Sequence, residues 1–328
     1  MTSNGGHSRG LIILRVLTLI IFALTVDYWV YPYGASMPGR TANLGENGLW
    51  LRYTWYFGEH SKTDLDALPR ELSENQIRYA YFHVRSTHHD GALTYHYPGT
   101  AVALTSTLHR TAPDVKLIAW VYAGNPRGMG LVDLSKPDVR RKMVSEAVWL
   151  VTDCGFDGVQ WDYEICQSGD QGLVDLLKET RAKLPADKIL SVCTAIWLPD
   201  SGTFGWTDDY FGEVAKNCDQ MTVMAYDSAA YFPRAYVDVM RAQVVHISTD
   251  VARANPKCRL LFGIPTYDDG TKSHNPHAEN VEMALRGIRL GISDLSTDRG
   301  VIGGVAVFAD YTTDVREWAE YRRSWLGK

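Results

Sequence analysis

Short apolar runs alternate with helix-like amphipathic stretches along most of the chain. Eight of these runs have the length and the content of aromatic and β-branched residues that strands favour. They lie at residues 50–56, 77–84, 116–122, 156–162, 189–195, 220–225, 260–265 and 301–308. Strands that alternate with helices are usually parallel and covered on both faces. The pattern therefore predicts an α/β fold with a parallel sheet.

Helix start signals stand between the apolar runs. Ser61 is a residue type that caps helix N-termini, and Pro137 and Pro276 suit a first helical turn. Each unit of strand and helix takes about 35 residues, and eight such units fit a closed (β/α)8 TIM barrel. An open doubly wound sheet is the alternative, but the number of units favours the barrel. Residues 266–300 leave no room for a large insertion domain before the last strand.

The N-terminal segment differs in kind from the rest. Residues 11–26 are almost wholly apolar, which is typical of a signal peptide or an uncleaved signal anchor. Trp29, Tyr31 and Tyr33 resemble the aromatic belt of a membrane interface, and no small-residue cleavage site follows closely, so an anchor is favoured. We expect the barrel outside the cytoplasm, held to the membrane or secreted if the segment is cleaved. The expected domains are a signal anchor or signal peptide (1–33), a linker (34–48) and a catalytic barrel (49–328).

Composition narrows the classes of function. The 328 residues are 45% hydrophobic and carry a net charge of −5, with an isoelectric point near 6.1. Such a chain has no basic surface suited to nucleic acid, so a neutral or weakly charged substrate fits better. Five cysteines are scattered without close pairs, and an odd number leaves at least one unpaired. We expect a monomer with neither a disulfide framework nor a metal or other cofactor.

The fourth predicted strand carries polar residues where a buried strand normally has none. Side chains alternate between the two faces of a strand, so Gly158, Gln160, Asp162 and Glu164 share one face, and the apolar residues between them share the other. Burying an unpaired polar group costs roughly 2–7 kcal/mol, so this row needs partners or a chemical role. A catalytic site is the favoured interpretation, and a structural polar network is the alternative.

Aromatic and polar residues gather at the carboxyl ends of the predicted strands, which is where TIM barrels place their active sites. Aromatic faces pack on the apolar faces of sugar rings, while carboxylates and amides bind hydroxyl groups. A single aromatic side chain at such a position more often packs in the core or at the rim, so the prediction of a sugar site depends on the whole set. The set comprises Trp55, His83, Tyr122, Asn125, Asp162, Glu164, Trp197, Tyr226, Asp227, Tyr267, Asp268, Phe308 and Asp310.

Residues 157–164 resemble the DGxDxDxE signature of family 18 glycoside hydrolases, the chitinase-like barrels, on the same strand as in that family. Residues 219–227 are similar to the family's sixth-strand MxYD segment, and residues 262–267 resemble its seventh-strand GxPxY segment. The pair Gly303 and Gly304 also matches the start of the last strand. The resemblance extends from about Trp50 to the C-terminus.

The resemblance implies a retaining hydrolase that uses its substrate's own 2-acetamido group as the nucleophile. Glu164 would protonate the glycosidic oxygen, Asp162 would orient the acetamido group, and Tyr226 would hydrogen-bond its carbonyl oxygen. Like charges two residues apart also suit a raised pKa, which a general acid needs. The remaining residues expected to bind substrate are Gln160, Asp227, Trp55, Asn125, Trp197, Tyr267, Phe308 and Asp310.

Two positions depart from the family pattern. Gln160 replaces the middle aspartate of the signature, so it can hydrogen-bond Asp162 but not share a proton with it. Phe308 replaces the tryptophan that usually lies under the reacting sugar. Without an insertion domain to wall the groove, we expect a shallow, open cleft suited to branched, short or cell-wall glycans.

Two other functions compete with hydrolysis. The first is a membrane-tethered carbohydrate-binding barrel with weak or no turnover, although inactive relatives typically lack the acid that this chain has in Glu164. The second is a metal-dependent hydrolase that uses His83, His88, His89 and Asp90. Adjacent histidines on an extended chain point in opposite directions, which disfavours a shared metal.

Overall fold

Eight parallel strands form a closed barrel. The computed structural model describes residues 4–41, 43–123, 132–164, 166–200 and 205–328, with side chains from Gly10 onward. The strand order is β1-β2-β3-β4-β5-β8-β9-β10, and β1 pairs with both β2 and β10. This closure confirms the TIM barrel and excludes the open doubly wound sheet. The barrel strands are β1 (Asn47–Leu51), β2 (Ile77–Ser86), β3 (Lys116–Tyr122), β4 (Gly158–Asp162), β5 (Ile189–Thr194), β8 (Gln220–Val223), β9 (Arg259–Pro265) and β10 (Ile302–Phe308).

Helices surround the barrel, and a small two-stranded sheet of β6 (Ile196–Trp197) and β7 (Gly205–Trp206) lies outside it. The chain between β9 and the next helix is residues 266–280, so no large domain is inserted there. The helices are α1 (Asn4–Val30), α2 (Tyr53–Phe57), α3 (Lys62–Glu74), α4 (Pro98–Thr111), α5 (Pro137–Thr152), α6 (Gln171–Lys183), α7 (Asp208–Ala215), α8 (Pro233–Ala254), α9 (Val281–Ser293) and α10 (Val315–Tyr321).

The first strand was predicted wrongly. It ends at Leu51, and most of the predicted run 50–56 lies instead in the short helix α2. The aromatic residues that suggested a strand pack from the helix instead: the Trp55 ring stacks on His60 at a centroid distance of 3.5 Å, and the Tyr56 ring lies 5.9 Å from that of Tyr97. Aromatic content therefore reflects burial at this position rather than strand geometry.

Helix starts were predicted with mixed success. Ser61 caps α3 by accepting from the Asp64 backbone N–H in a capping box, and Pro137 begins α5, as predicted. Pro276 does not begin a helix, because α9 starts at Val281 behind Asn280, whose side chain accepts from a backbone N–H one turn on.

Strand β4 alternates as predicted. Val159 and Trp161 face the surrounding helices, where the Trp161 indole N–H donates to Thr180 Oγ1 of α6 over 3.1 Å. Gln160 and Asp162 point into the barrel and are fully buried. These two members of the polar row therefore lie inside the barrel, and Asp162 is at the carboxyl end of its strand.

Gln160 belongs to a hydrogen-bond network across the barrel interior. Its Oε1 accepts from Trp50 Nε1 at 2.9 Å, and its Nε2 donates to Ser191 Oγ at 3.0 Å and to Thr222 Oγ1 at 3.2 Å. Ser191 in turn donates to Gln220 Oε1 at 2.9 Å. The network ties four barrel strands together through side chains, so the structural interpretation of the polar row holds for this residue.

Helix α1 is long and apolar enough, over Gly10–Val30, to cross a membrane, and it is the one such helix in the described part of the chain. Its apolar side chains are exposed. A signal anchor or a signal peptide would both have this character.

We predict that Gln160→Met lowers the free energy of unfolding by about 1–3 kcal/mol, because the near-isosteric thioether leaves the buried Trp50 N–H without its acceptor and removes the hydrogen bonds to Ser191 and Thr222. Urea unfolding of the full-length protein in detergent measures the change. Gln171→Met, at an exposed residue of α6, is the control and should shift stability by less than about 0.5 kcal/mol. Equal effects of the two substitutions would contradict the importance of the network.

Candidate active site

A pocket of about 400 Å³ opens at the carboxyl ends of the barrel strands. Its lining combines three carboxylates with a floor and walls of aromatic rings. The lining residues are Trp50, His83, Trp120, Tyr122, Asp162, Glu164, Cys193, Met224, Tyr226, Asp227, Tyr267, Phe308 and Tyr311. Six of the eleven predicted site residues thus lie around one cavity.

Asp162 is the buried carboxyl of this pocket. Its Oδ2 accepts from Trp120 Nε1 at 2.8 Å, while its Oδ1 is buried with no hydrogen-bond partner among the described residues. Burial raises the pKa of Asp162 well above its ordinary value, and the nearby charge of Glu164 raises it further. An acceptor atom is therefore free to receive a donor from a bound molecule.

Glu164 lies two residues further on, at the mouth of the pocket. Tyr122 donates its hydroxyl to Glu164 Oε2 over 3.1 Å. Part of the Glu164 residue faces solvent, but the surrounding protein removes water from its carboxyl, and this desolvation raises the pKa. The Tyr122 hydrogen bond acts in the opposite direction, and the charge of Asp227 adds to the rise. A raised pKa suits a group that must deliver a proton.

The predicted hydrogen bond between Gln160 and Asp162 is absent. Gln160 directs both ends of its amide to Trp50, Ser191 and Thr222, in the layer beneath Asp162. Trp120 supplies the donor to Asp162 instead. Gln160 is therefore not part of the pocket surface.

Phe308 forms the centre of the aromatic floor. Its ring lies 5.5 Å from that of Trp50, 5.2 Å from Tyr226 and 6.0 Å from Tyr267 between centroids. The Tyr226 and Phe308 rings stack at an interplanar angle of 29°, which gives a broad apolar surface beside the carboxylates. Such a surface suits the apolar face of a sugar ring.

The sequence matches the model of glycosyl hydrolases family 18 over residues 52–324. The chain belongs to this family. Family membership makes the protein a glycoside hydrolase, and it agrees with the closed barrel and with the pair of acids at the end of β4. No curated protein matches the sequence.

Solved structures share the fold of this family 18 barrel. SleL, a spore cortex-lytic enzyme of Bacillus cereus, gives a TM-score of 0.59 at 11% identity, over 85% of this chain and 74% of SleL. A chitinase from Bacteroides thetaiotaomicron gives 0.59 at 12% identity, over 84% and 93% of the two chains. A chitinase from Chromobacterium violaceum gives 0.58 at 16% identity, over 86% and 99%. At these identities the likeness concerns the fold.

Besides Gln160, three more predicted site residues lie outside the pocket lining. Trp55 is on α2, where its indole N–H donates to Asp310 Oδ2 at 2.8 Å, so both side chains join the ends of β1 and β10. Trp197 stacks on His246 of α8 at 3.6 Å. Their positions suit packing rather than glycan contact. Asn125 lies outside the described residues.

The histidines of the metal hypothesis lie apart. His83 lines the pocket and stacks on Trp120 at 4.0 Å, and burial, with the charge of Arg85, lowers its pKa to about 3. His88 and His89 are exposed on the loop that follows β2. Within the described ranges, no cluster of three or more histidine, cysteine or acidic side chains has the geometry of a metal site.

Glu279 supports the site, although it was not among the predicted site residues. Its carboxylate accepts from the backbone N–H of Asp227 at 2.8 Å and of Ser228 at 3.0 Å, which fixes the turn after β8. Asp227 has a φ of +56°, a left-handed conformation that a non-glycine residue adopts only at some cost, so the turn needs this support. Nothing near Glu279 in the sequence points to a turn more than fifty residues earlier.

His274 completes this support. Its Nδ1 lies 3.0 Å from Glu279 Oε2 and its Nε2 lies 3.1 Å from the Tyr267 carbonyl oxygen, and both side chains of the ion pair are fully buried. Burial alone would lower the pKa of His274, but the hydrogen bond and the charge of Glu279 raise it overall. A protonated His274 can donate to both neighbours at once and so joins the walls formed by Asp227 and Tyr267.

We predict that His274→Gln lowers the free energy of unfolding by about 1–3 kcal/mol at pH 6, because a charged hydrogen bond is lost. A raised folded-state pKa gives stability that is complete below the ordinary histidine pKa and is lost as the pH rises through the folded-state value. In urea unfolding, the difference in the free energy of unfolding between the parent protein and the variant should therefore shrink from pH 6 to pH 9. The exposed His89→Gln is the control, and a difference that grows with pH would refute the protonated pair.

Proposed function

We propose that this family 18 barrel is a retaining hydrolase that cleaves β-linked N-acetylhexosamine glycans by substrate-assisted catalysis. The observation that carries the proposal is the buried, unpartnered Oδ1 of Asp162, two residues from Glu164 and beside the Phe308 floor. A buried acceptor without a partner costs free energy, and an acetamido N–H is the donor that would satisfy it.

In the first step Glu164 gives its proton to the glycosidic oxygen as the bond to the anomeric carbon breaks. The raised pKa of Glu164 keeps the proton available. The sugar that contains this anomeric carbon also carries the acetamido group, and its carbonyl oxygen attacks the anomeric carbon from the opposite face. The intermediate is therefore a cyclic oxazolinium ion and not an ester with an enzyme carboxylate.

Asp162 and Tyr226 would hold the reacting acetamido group. Asp162 and Glu164 hold one proton between them, and with that proton on Glu164 the Asp162 carboxylate accepts the N–H through Oδ1. Its negative charge then stabilises the positive oxazolinium. Burial raises the pKa of the Tyr226 phenol well above its ordinary value, so Tyr226 keeps its proton and donates to the acetamido oxygen. Water then attacks the anomeric carbon, the Glu164 carboxylate takes the proton of that water, and the configuration is retained.

The surrounding residues would bind the sugar. Phe308 offers the apolar platform, while Asp227 and Tyr267 offer hydrogen-bonding groups on the wall that Glu279 and His274 support. The Tyr267 hydroxyl is buried without a partner among the described residues, so a sugar hydroxyl would satisfy it. The absence of an inserted domain between β9 and α9 fits an open cleft and short, branched or cell-wall glycans.

A carbohydrate-binding barrel with little turnover is the second candidate. Gln160 favours this candidate, because its amide occupies the layer beneath Asp162 and is bonded to other residues. An amide there cannot exchange a proton with Asp162 as a second acid could. The presence of Glu164, with a raised pKa and a tyrosine partner, favours hydrolysis over this alternative.

We predict that Glu164→Gln lowers kcat by a factor of about 10²–10⁴, because the proton donor is lost while the shape of the side chain stays. Reducing-end release from β-linked N-acetylglucosamine oligomers, peptidoglycan and N-glycans measures this. Glu74→Gln, an exposed residue at the end of α3, is the control and should match the parent. Glycan binding without release, in parent and variant alike, would instead identify the binding barrel.

We predict that activity falls as the pH rises through the pKa of Glu164, because the acid then lacks its proton. Tyr122→Phe removes the hydrogen bond that lowers this pKa, so the alkaline limb of the kcat/KM profile should move to higher pH. Tyr311→Phe, another tyrosine of the pocket lining, is the matched control. A limb that moves to lower pH in Tyr122→Phe would show that Glu164 is not the titrating acid.

A further inference from the structure

The last turn of α1 is bound to the barrel by specific polar contacts. Arg234, at the start of α8, donates to Asp27 Oδ1 from Nη2 at 2.6 Å and from Nε at 3.1 Å. His277 Nε2 lies 2.7 Å from the Tyr28 carbonyl oxygen, and the Tyr28 ring lies 4.5 Å from the His277 ring. Asp27 is thereby paired at the protein surface, which explains a carboxylate inside an apolar helix. We call these contacts the clamp.

The chain after α1 is fixed as well. The rings of Tyr31 and Tyr33 lie 4.6 and 5.8 Å from the Arg234 guanidinium. Further along, Arg286 donates to the Ala35 carbonyl oxygen at 3.0 Å, and Arg289 donates to the Pro38 carbonyl oxygen at 2.8 Å, both from α9. Residues 31–40 therefore run along α9 as a bound strap, not as a free linker.

The clamp lies on the catalytic face of the barrel. Arg234 begins the helix that follows β8, and His277 is in the loop between β9 and α9, so both follow the carboxyl ends of strands. The same loop contains His274 and reaches the turn after Asp227 through the bond from Ala229 N to Ser273 O, at 2.8 Å. The exit point of α1 is thus beside the wall of the candidate site.

The rest of α1 stands clear of the barrel. None of its apolar segment is buried against the protein, and its leucine and isoleucine side chains are about half exposed or more. The 21 residues of Gly10–Val30 span about 31 Å as a helix, which matches the hydrocarbon thickness of a bilayer. Exposed aromatic residues at and near the clamp, Trp29, Tyr231 and Phe232, suit the interface between lipid and water.

We propose that α1 is retained as an anchor and that the clamp and strap hold the barrel with its catalytic face towards the bilayer. The site would then cleave N-acetylhexosamine glycans presented at the membrane surface faster than the same glycans free in solution. This second part rests on the proposed function. A cleaved signal peptide would have no use for contacts from Asp27 and Tyr28 to two separate elements of the barrel.

Fluorescence quenching tests the orientation. Full-length protein with one introduced cysteine, Tyr231→Cys on the catalytic face or Lys257→Cys in the loop at the opposite end, is labelled with a thiol-reactive dye in proteoliposomes that contain a headgroup quencher. The five native cysteines are buried, so the dye reports the introduced site. The dye at residue 231 should be quenched several-fold more than the dye at 257. Equal or reversed quenching, or loss of residues 1–30 from the membrane-derived protein by mass spectrometry, would overturn the proposal.

A matched pair of arginine variants tests the clamp. Arg234 and Arg241 both lie on α8, both have side chains that are 51% exposed, and each binds an aspartate, at 2.6 and 2.7 Å. The partner of Arg234 is Asp27 of α1, whereas the partner of Arg241 is Asp294 at the end of α9. Arg234→Ala should reduce the difference in quenching between the two dye positions, and Arg241→Ala should leave it intact. Equal behaviour of the two variants would overturn the role of the clamp.

The substrate part is tested in the same vesicles. An N-acetylglucosamine oligomer carried on a lipid tail should be cleaved several-fold faster than the same oligomer in solution, and Arg234→Ala should lose this preference while its rate on the free oligomer stays unchanged. Equal rates for the two substrates with the parent protein would overturn the preference. Failure to cleave either one would refute the proposed function, and the quenching result would still decide the orientation.

Discussion

Burial of the Asp162 carboxyl inside the barrel is the constraint on which the rest of the site depends. A carboxyl removed from water needs a donor, and Trp120 supplies one to Oδ2 while Oδ1 stays free. A second acid in the layer below would add a like charge at close range, and this chain has the neutral Gln160 there, fully bonded to its own neighbours. The charge of Glu164 above opposes that of Asp162, so the Asp162 carboxylate is stabilised by the Trp120 N–H and by a donor on whatever molecule the pocket holds.

The parts of the fold that follow a local rule were predictable from the sequence. The period of two in β4 separated the interior residues from Val159 and Trp161, and the alternation of strands and helices gave the barrel, because each rule depends only on neighbouring residues. Trp55 and Trp197 lie outside the pocket lining, since an aromatic residue at a strand end is equally suited to packing on a neighbouring helix or loop. Tertiary contacts decide whether such a side chain faces the pocket or packs against a neighbouring element.

Glu279 and His274 show where such prediction stops. Both act on residues far away in sequence, through backbone groups that have no signature of their own. A carboxylate in a loop normally indicates a solvated surface, and only the closed barrel brings it beneath the turn of Asp227. The same applies to Asp27, a carboxylate in an apolar helix, whose partner Arg234 lies 207 residues further along the chain. Family membership identifies the class of enzyme, but not the residues that hold the walls of the pocket.

The short loop between β9 and α9 has a consequence for the shape that this enzyme can acquire. In large chitinases, an extra domain at this point builds one wall of a deep groove. Here the same residues, 266–280, already form the wall behind Asp227 and receive the end of α1 through His277. An inserted domain would occupy the place where the helix docks, so a deep groove and this mode of attachment exclude each other.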